Sequence, residues 1–211
     1  MPIITRITQP DRRPNWQIIH LDNGSRIACK TNVAAKFNLR LGLELSQQII
    51  ALIQHGETEQ ECRDAALNFL SRRLHSCAEL RRKLSRKRYA ADMINTVLDD
   101  LARLGYLDDR RFAAAKTLST MQHKHHGRRR AYLELIKTGV AGEIAARAVE
   151  DAYESSDSVA VARQLAEKKI AVLRKLDPQI ARRRLAGMLQ RRGFDYETIK
   201  NVIDQVLGGL Y

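Results

Sequence analysis

A spacing that recurs three times limits what this chain can fold into. Leu84 lies ten residues before Ile94, Leu135 ten before Ala145, and Leu189 ten before Ile199. Around these anchors the registers agree: Leu80 with Ala131 and Leu185, and Tyr89 with Val140 and Phe194. Ile94, Val97, Leu98 and Leu101 match Ala145, Ala148, Val149 and Ala152, and match again Ile199, Val202, Ile203 and Val206. Each set is an i, i+3, i+4, i+7 stripe, one apolar face of a helix. Another helix precedes each pair, over about 61–74, 109–122 and 158–175. The unit is therefore three helices long, with a period of 51 residues from Ile94 to Ala145 and 54 from Ala145 to Ile199. Units this small bury their stripes poorly alone, so the three are expected to stack.

Start and stop signals support the same division. Gly105 follows Leu98, Leu101 and Leu104 where a left-handed residue would close a helix. Asp108 reads as the N-cap of the next helix, Asp109 adds negative charge at its positive end, and Leu107 and Phe112 form a hydrophobic staple. Thr58-Glu59-Gln60-Glu61 and Ser76-Cys77-Ala78-Glu79 fit the capping box. Asp177-Pro178 places proline at N1, and Phe194 and Ile199 repeat the staple. Gly208-Gly209 reads as a helix stop.

The first sixty residues are different. Ile3 to Thr8 reads as extended, and Trp16–Leu21, Asp22-Asn23-Gly24 and Ser25–Lys30 read as a hairpin in which Asn23 and Gly24 supply positive φ. Val33 to Phe37 suggests a short helix. Ser46 is a further N-cap, with Leu45 and Ile50 at staple positions. The expected fold is mainly α: three tandem three-helix repeats in an elongated curved array over 58–107, 108–156 and 157–211, after a small N-terminal β-hairpin element over 1–57. With 44% hydrophobic residues but 5% aromatic, a core of Leu, Ile, Val and Ala suits packed helices better than a β-sandwich.

Charge then narrows the function. The formal net charge is +13, and residues 61–211 carry +11 of it, which implies a polyanionic partner, either nucleic acid or an acidic protein surface. Arg128, Arg129 and Arg130 precede Ala131 as Arg182, Arg183 and Arg184 precede Leu185. Arg86, Lys137 and Arg191 share one register, and Arg72, Arg73, Arg81, Arg82, Lys83, Lys87, Arg88 and Arg192 add to the excess. Late cations are explained by the helix dipole, but triple arginine at a helix start opposes it. Arg128–Arg130 is therefore the first candidate for binding, and Arg182–Arg184 the second because Asp177 is near. The planar guanidinium suits phosphate and carboxylate alike.

Chemistry is absent by pattern. Asp99-Asp100 and Asp108-Asp109 are adjacent carboxylates that do not converge on a helix, and His123-Lys124-His125-His126 lacks metal-ligand spacing and reads as a polar linker. No P-loop, GxSxG or dinucleotide fingerprint occurs. Cys29, Cys62 and Cys77 are odd in number with no CxxC. No apolar run approaches the ~18 residues of a membrane span. The start, Met1 to Arg6, lacks a signal peptide's apolar core, so a cytoplasmic location is expected.

With three tandem units in place, the chain resembles the RecX family of bacterial regulatory proteins. The resemblance is carried by Ala66-x-x-Phe69-Leu70 through Glu79-Leu80-x-x-Lys83-Leu84, by Gly105-Tyr106-Leu107-Asp108-Asp109-x-x-Phe112-Ala113, and by Arg192-Gly193-Phe194-x-x-x-x-Ile199. Leu39-x-Leu41-Gly42-x-x-Leu45 is similar to a passage in longer members. One departure is Arg88, which stands where Gly139 and Gly193 stand in the other units. The resemblance implies a non-enzymatic regulator without a cofactor. It would bind the RecA recombinase and its filament on single-stranded DNA, and inhibit ATPase, strand exchange and coprotease activities, tempering recombination and the SOS response. The residues expected to meet the partner are Arg72, Arg73, Arg81, Arg82, Arg128–Arg130, Arg182–Arg184, Arg191 and Arg192, on a monomer. Weak DNA binding through the basic face is expected beside it, and the alternative is a basic helical module that acts by direct DNA binding. Its weakness is the small stock of stacking residues, Tyr89, Tyr106, Tyr132, Phe194 and Tyr196.

Overall fold

The computed structural model describes residues 1–154, 157–173 and 175–208. Gly209, Ser156 and Tyr211, where a helix stop and two repeat ends were placed, lie outside the described residues. Two compact units are formed, Met1–Arg72 with Arg81–Leu101, and Arg73–Leu80 with Ala102–Tyr211.

In the first unit, β1 (Ile4–Thr8), β2 (Trp16–Leu21) and β3 (Arg26–Lys30) make an antiparallel sheet in that order. The hairpin turn differs from the expected one. Only Gly24 has positive φ, and Gly24 N donates to Leu21 O, a three-residue loop ending in a left-handed glycine. Asn23 contributes its side chain instead, accepting from Ser25 N at 3.0 Å. Behind the sheet come α1 (Thr31–Lys36) and α2 (Gln47–Leu70). Ile4, Ile19, Leu21, Cys29, Val33, Leu45 and Ile53 are buried together.

The helix α2 overturns one cap. Ser46 Oγ does cap it, accepting from Ile49 N, but Thr58 lies inside the helix. Thr58 Oγ1 donates back to Gln54 O at 3.0 Å, satisfying the hydroxyl without ending the helix. Gly56, which looks like punctuation, faces Phe37, whose ring would lie 2.9 Å from an added Cβ. Packing explains that glycine. α3 (Cys77–Arg86) follows, and α4 (Ala91–Arg103) places Ile94, Val97, Leu98 and Leu101 in the interior. Arg63 on α2 bonds Asp100 on α4 at 2.5 Å.

The second unit holds α5 (Asp109–Lys124), α6 (Arg128–Thr138) and α7 (Gly142–Glu154), then α8 (Ser158–Leu173), α9 (Pro178–Arg191) and α10 (Tyr196–Leu207). Two cores result. One gathers Phe112, Ala113, Ala131, Leu135, Ala145, Val149 and Tyr153, the other Ala162, Ala166, Leu185, Leu189, Val202 and Ile203. The anchors Leu84, Leu135 and Leu189 are each fully buried. Each such leucine contributes about 1.5–3 kcal/mol relative to exposure. Gly105 has φ +76, Asp108 accepts from Arg110 N and Arg111 N, and Leu107 and Phe112 are buried. Asp177 caps α9 with Pro178 at N1, and Asp195 caps α10.

One contact is made twice at matching positions of the repeat. At the first seam, Ser76, the N-cap residue of α3, donates its hydroxyl to Thr138 O at 2.7 Å and accepts from Glu79 N. Gly139, next in the chain, has φ +86, and a Cβ there would sit well inside 3.0 Å of the Ala78 Cβ. At the second seam Gly127, the N-cap residue of α6, donates its N–H to Arg192 O at 2.8 Å, and Arg129 N donates to Gly193 O. Gly193 has φ +87 and would drive a Cβ to 2.6 Å from the Arg130 Cβ. So the left-handed turn after the second helix of each later repeat abuts the start of the second helix of the repeat before it. This accounts for Arg88, which holds the same left-handed conformation at φ +66 but is exposed and belongs to the first repeat. Among the described residues no earlier repeat stands where it could abut one.

The capping box at Ser76 is only half made as expected. Glu79 turns away from the cap residue, and its Oε2 meets His75 Nδ1 and Arg73 at 3.0 Å each. Burial raises its pKa, but these bonds outweigh burial and hold it below the usual carboxylate range. Asp109 fills the gap: its Oδ1 accepts from Cys77 N at 2.7 Å, placing a carboxylate at the positive end of α3.

Candidate functional site

The second seam also organises the basic residues. α6 begins at Arg128, so Arg128, Arg129 and Arg130 occupy its first turn, and all three are exposed. Here the dipole conflict is softened, since Arg192 O and Gly193 O, carbonyls at the C-terminal end of α9, face the same turn. Arg182–Arg184 differ from the expectation. α9 starts one turn earlier, at Pro178, so these arginines sit inside the helix and not at its start.

A groove of about 650 Å³ opens beside this seam. Arg128 and Arg129 reach it from α6, Arg182 from α9, and Lys200 from α10. Its apolar lining comes from Ala186, Phe194, Ile199 and Ile203, with Tyr196, 78% exposed, also on the wall. Two carboxylates also line it. Asp204 pairs with Arg182 at 2.6 Å, and Asp195 caps α10 through Thr198 N at 2.8 Å. Burial raises the Asp195 pKa, but the Thr198 bonds, assisted by Arg128, bring it below the usual range. Arg128 lies over the Tyr153 ring at 6.0 Å. Arg129 and Lys200 have no side-chain partner among the described residues. Four cations against two carboxylates leave the groove net positive.

The other candidates are dispersed. Arg130 pairs with Glu134 at 3.6 Å, and Arg183, Arg184 and Arg191 are exposed on α9. Arg73 is engaged with Glu79 and Leu74 O, and the half-buried Arg192 donates to Lys124 O at 2.6 Å, so both have structural partners. In the other unit, Arg72 and Arg82 are exposed, and Arg81 donates to Asn95 Oδ1 at 3.1 Å. A second groove, of about 700 Å³, takes Arg110, Arg111 and Arg147 with Asp108, Glu143 and Asp151, so its charges balance. Lys200 was invisible to the repeat comparison. It follows the buried Ile199 at the edge of a stripe, and nothing in its neighbours marks it.

The histidine stretch is not a polar linker. His125 closes α5 in the left-handed conformation, and His126 is buried, with its carbonyl accepting from the Tyr153 hydroxyl. Burial, then Arg192, Lys124 and Arg130, against an opposing Glu134, lower the His126 pKa. His125 shifts the same way, through burial and then Lys168, Arg192 and His123. These two histidines thus bind fewer protons in the folded chain than in the unfolded one below the ordinary histidine value near 6.5, and the stability they contribute is lost as pH falls from there through the depressed values. Thermal midpoints should drop between pH 7.5 and 5.5, and His126→Met should flatten the slope. An unchanged slope would remove His126 from the account.

Among the described residues no group of three or more His, Cys, Asp and Glu could hold a metal ion. No described helix is long and apolar enough to cross a membrane. Cys29 and Cys62 are buried free thiols, both pushed by burial to about 11.

Comparison with known proteins follows the same division. Models of the first, second and third three-helix domains of RecX match residues 62–101, 108–149 and 156–203. The chain is 38% identical over 138 residues to the regulatory protein RecX of Pelodictyon phaeoclathratiforme, covering 65% of this chain and 84% of that one. It is 30% identical to that of Bacillus licheniformis over 97% of this chain and 78% of the relative. A crystal structure of regulatory protein RecX superposes with a TM-score of 0.83 over 97% of this chain and 100% of the other, at 19% identity, a likeness of fold. RecX from Lactobacillus salivarius gives 0.63 at 25% identity, over 72% of this chain and 97% of the other. Three domain matches in order, on three repeats joined by one recurring seam, place this chain in the RecX family of regulatory proteins.

Proposed function

We propose that the protein binds the RecA recombinase and its filament on single-stranded DNA, and inhibits its ATPase, strand-exchange and coprotease activities. In this reading it tempers DNA repair, recombination and the SOS response, acting as a cytoplasmic monomer without a cofactor. The observation that carries it is the net positive groove at the second seam, where the Arg129 and Lys200 side chains have no partner among the described residues. A folded chain gains nothing by gathering uncompensated cations, so their placement is best explained by an anionic partner. The exposed Arg72, Arg82, Arg183 and Arg184 add to the attraction.

Direct DNA binding is the second reading, favoured by the net charge of +13. On single strands each phosphate contact would lower log K by roughly 0.7 per unit of log salt. The two readings separate in one titration. DNA-dependent RecA ATPase should fall when this protein is added well below stoichiometry. The Arg128→Glu, Arg129→Glu, Arg130→Glu triple variant should require about tenfold more protein for the same inhibition, with unchanged helical content. Tight binding to naked DNA with no ATPase inhibition at any ratio would decide for the DNA module.

A further inference from the structure

The groove at the second seam is selective about the kind of anion it can hold. Its cations stand around an apolar floor of Phe194, Ile199, Ile203 and Ala186. A phosphate backbone offers nothing apolar to cover such a floor, and among the described residues Tyr196 is the single exposed aromatic ring on its wall for stacking a base. Asp195 and Asp204 line the same walls, and both are held in place, one by the cap of α10 and the other by Arg182. Phosphates would meet these fixed carboxylates at close range. A peptide meets them differently, because its backbone N–H groups can donate to them while its own carboxylates reach the free cations.

We infer that this groove seats a segment of the partner protein that carries acidic side chains beside an aliphatic or aromatic one, and that it does not seat the DNA. The inference rests on the filament-binding reading above and names the chemistry of the partner at that site. Arg129 and Lys200 take the carboxylates, the first through a planar fork and the second as a point charge. The floor takes the apolar side chain, and Tyr196 covers it from the wall. Because Arg129 belongs to the second repeat and Lys200 to the third, the segment bridges the seam, and only the assembled pair of repeats presents the site.

A photo-crosslinking benzoylphenylalanine in place of Tyr196 tests this in the full complex with RecA on single-stranded DNA. The expected product is a crosslink to RecA protein, reduced about tenfold by Arg129→Glu with Lys200→Glu, a change equivalent to the loss of charge pairing at an interface. Hydrogen exchange of the unmodified protein in the same complex is the second measurement, and residues 127–130 and 194–204 should gain protection. A crosslink to DNA in place of protein overturns the inference. So does the absence of any crosslink and of protection in those segments while the unmodified protein still inhibits the ATPase, an outcome that leaves the filament-binding reading standing. If the unmodified protein neither binds nor inhibits the filament, both fall together.

Discussion

Gly193→Ala is expected to destabilise the protein by about 3–5 kcal/mol, among the larger effects a single methyl group can have. Two terms add. A left-handed backbone at φ +87 costs an alanine about 1–2 kcal/mol. The new Cβ would also sit 2.6 Å from the Arg130 Cβ and closer still to the Arg130 backbone nitrogen, which cannot rotate away. The start of α6 must then retreat, weakening the Gly127-to-Arg192 and Arg129-to-Gly193 hydrogen bonds, each worth about 1 kcal/mol. Gly105→Ala supplies the control. It has the same sign of φ, at +76, but open space around the added Cβ, so it should lose only the backbone term. Thermal or denaturant unfolding of the two variants separates strain from contact. Equal losses would mean that the second seam is not tight. The functional consequence follows from the same geometry, since the groove takes Arg128 and Arg129 from one side of that seam and Arg182 and Lys200 from the other. Gly193→Ala should therefore weaken filament inhibition even where the variant remains folded.

Ser76→Ala should cost about 2 kcal/mol at the first seam. Its hydroxyl performs two tasks at once while fully buried, accepting from Glu79 N and donating to Thr138 O. Loss of an N-cap side chain is worth ~1 kcal/mol, and loss of the hydroxyl-to-carbonyl hydrogen bond about 1 kcal/mol more. Asp109 beside the cap cannot replace the bond to Thr138 O, because a carboxylate has no proton to donate. Ser76→Gly should lose less, since at the second seam Gly127 meets the equivalent turn through its own N–H. Equilibrium unfolding of both variants checks the order. A glycine variant as damaged as the alanine variant would show that the two seams are not interchangeable.

The family was legible from the repeat and from short-range motifs, because those signals act over few residues. An apolar stripe is decided by which side chains share one helix face. The cap at Asp108, the proline at N1 of α9 and the staple of Leu107 with Phe112 are decided within a single turn. The site was legible only in part. Arg128 and Arg129 were marked by their opposition to a helix dipole, and they do reach the groove. Lys200 and Asp204 were not marked, because each lies on a helix whose local pattern is complete without it, and the staple of Phe194 with Ile199 marks Asp195 as a cap but not as part of a groove.

Where local and tertiary demands compete, the tertiary one prevails. Thr58 has the residues of a cap but lies inside α2, where Gly56 packs on Phe37 and the Thr58 hydroxyl donates to Gln54 O. Glu79 has the position of a capping-box acid but turns to His75 and Arg73. His126 looks solvated and is buried under the joint with the third repeat. The sequence by itself determined three amphipathic units and the caps at Ser46, Asp108 and Asp177, since these depend on residues within about four positions of one another, and it shows the uneven charge directly. Only the tertiary structure decided that Gly139 and Gly193 abut Ala78 and Arg130, that Ser76 serves Thr138 across 62 residues, and that arginines of one repeat share a groove with a lysine of the next. The reason is physical: a contact between distant segments leaves no periodic mark on either of them, and it exists only once the stripes that sequence does encode have been buried.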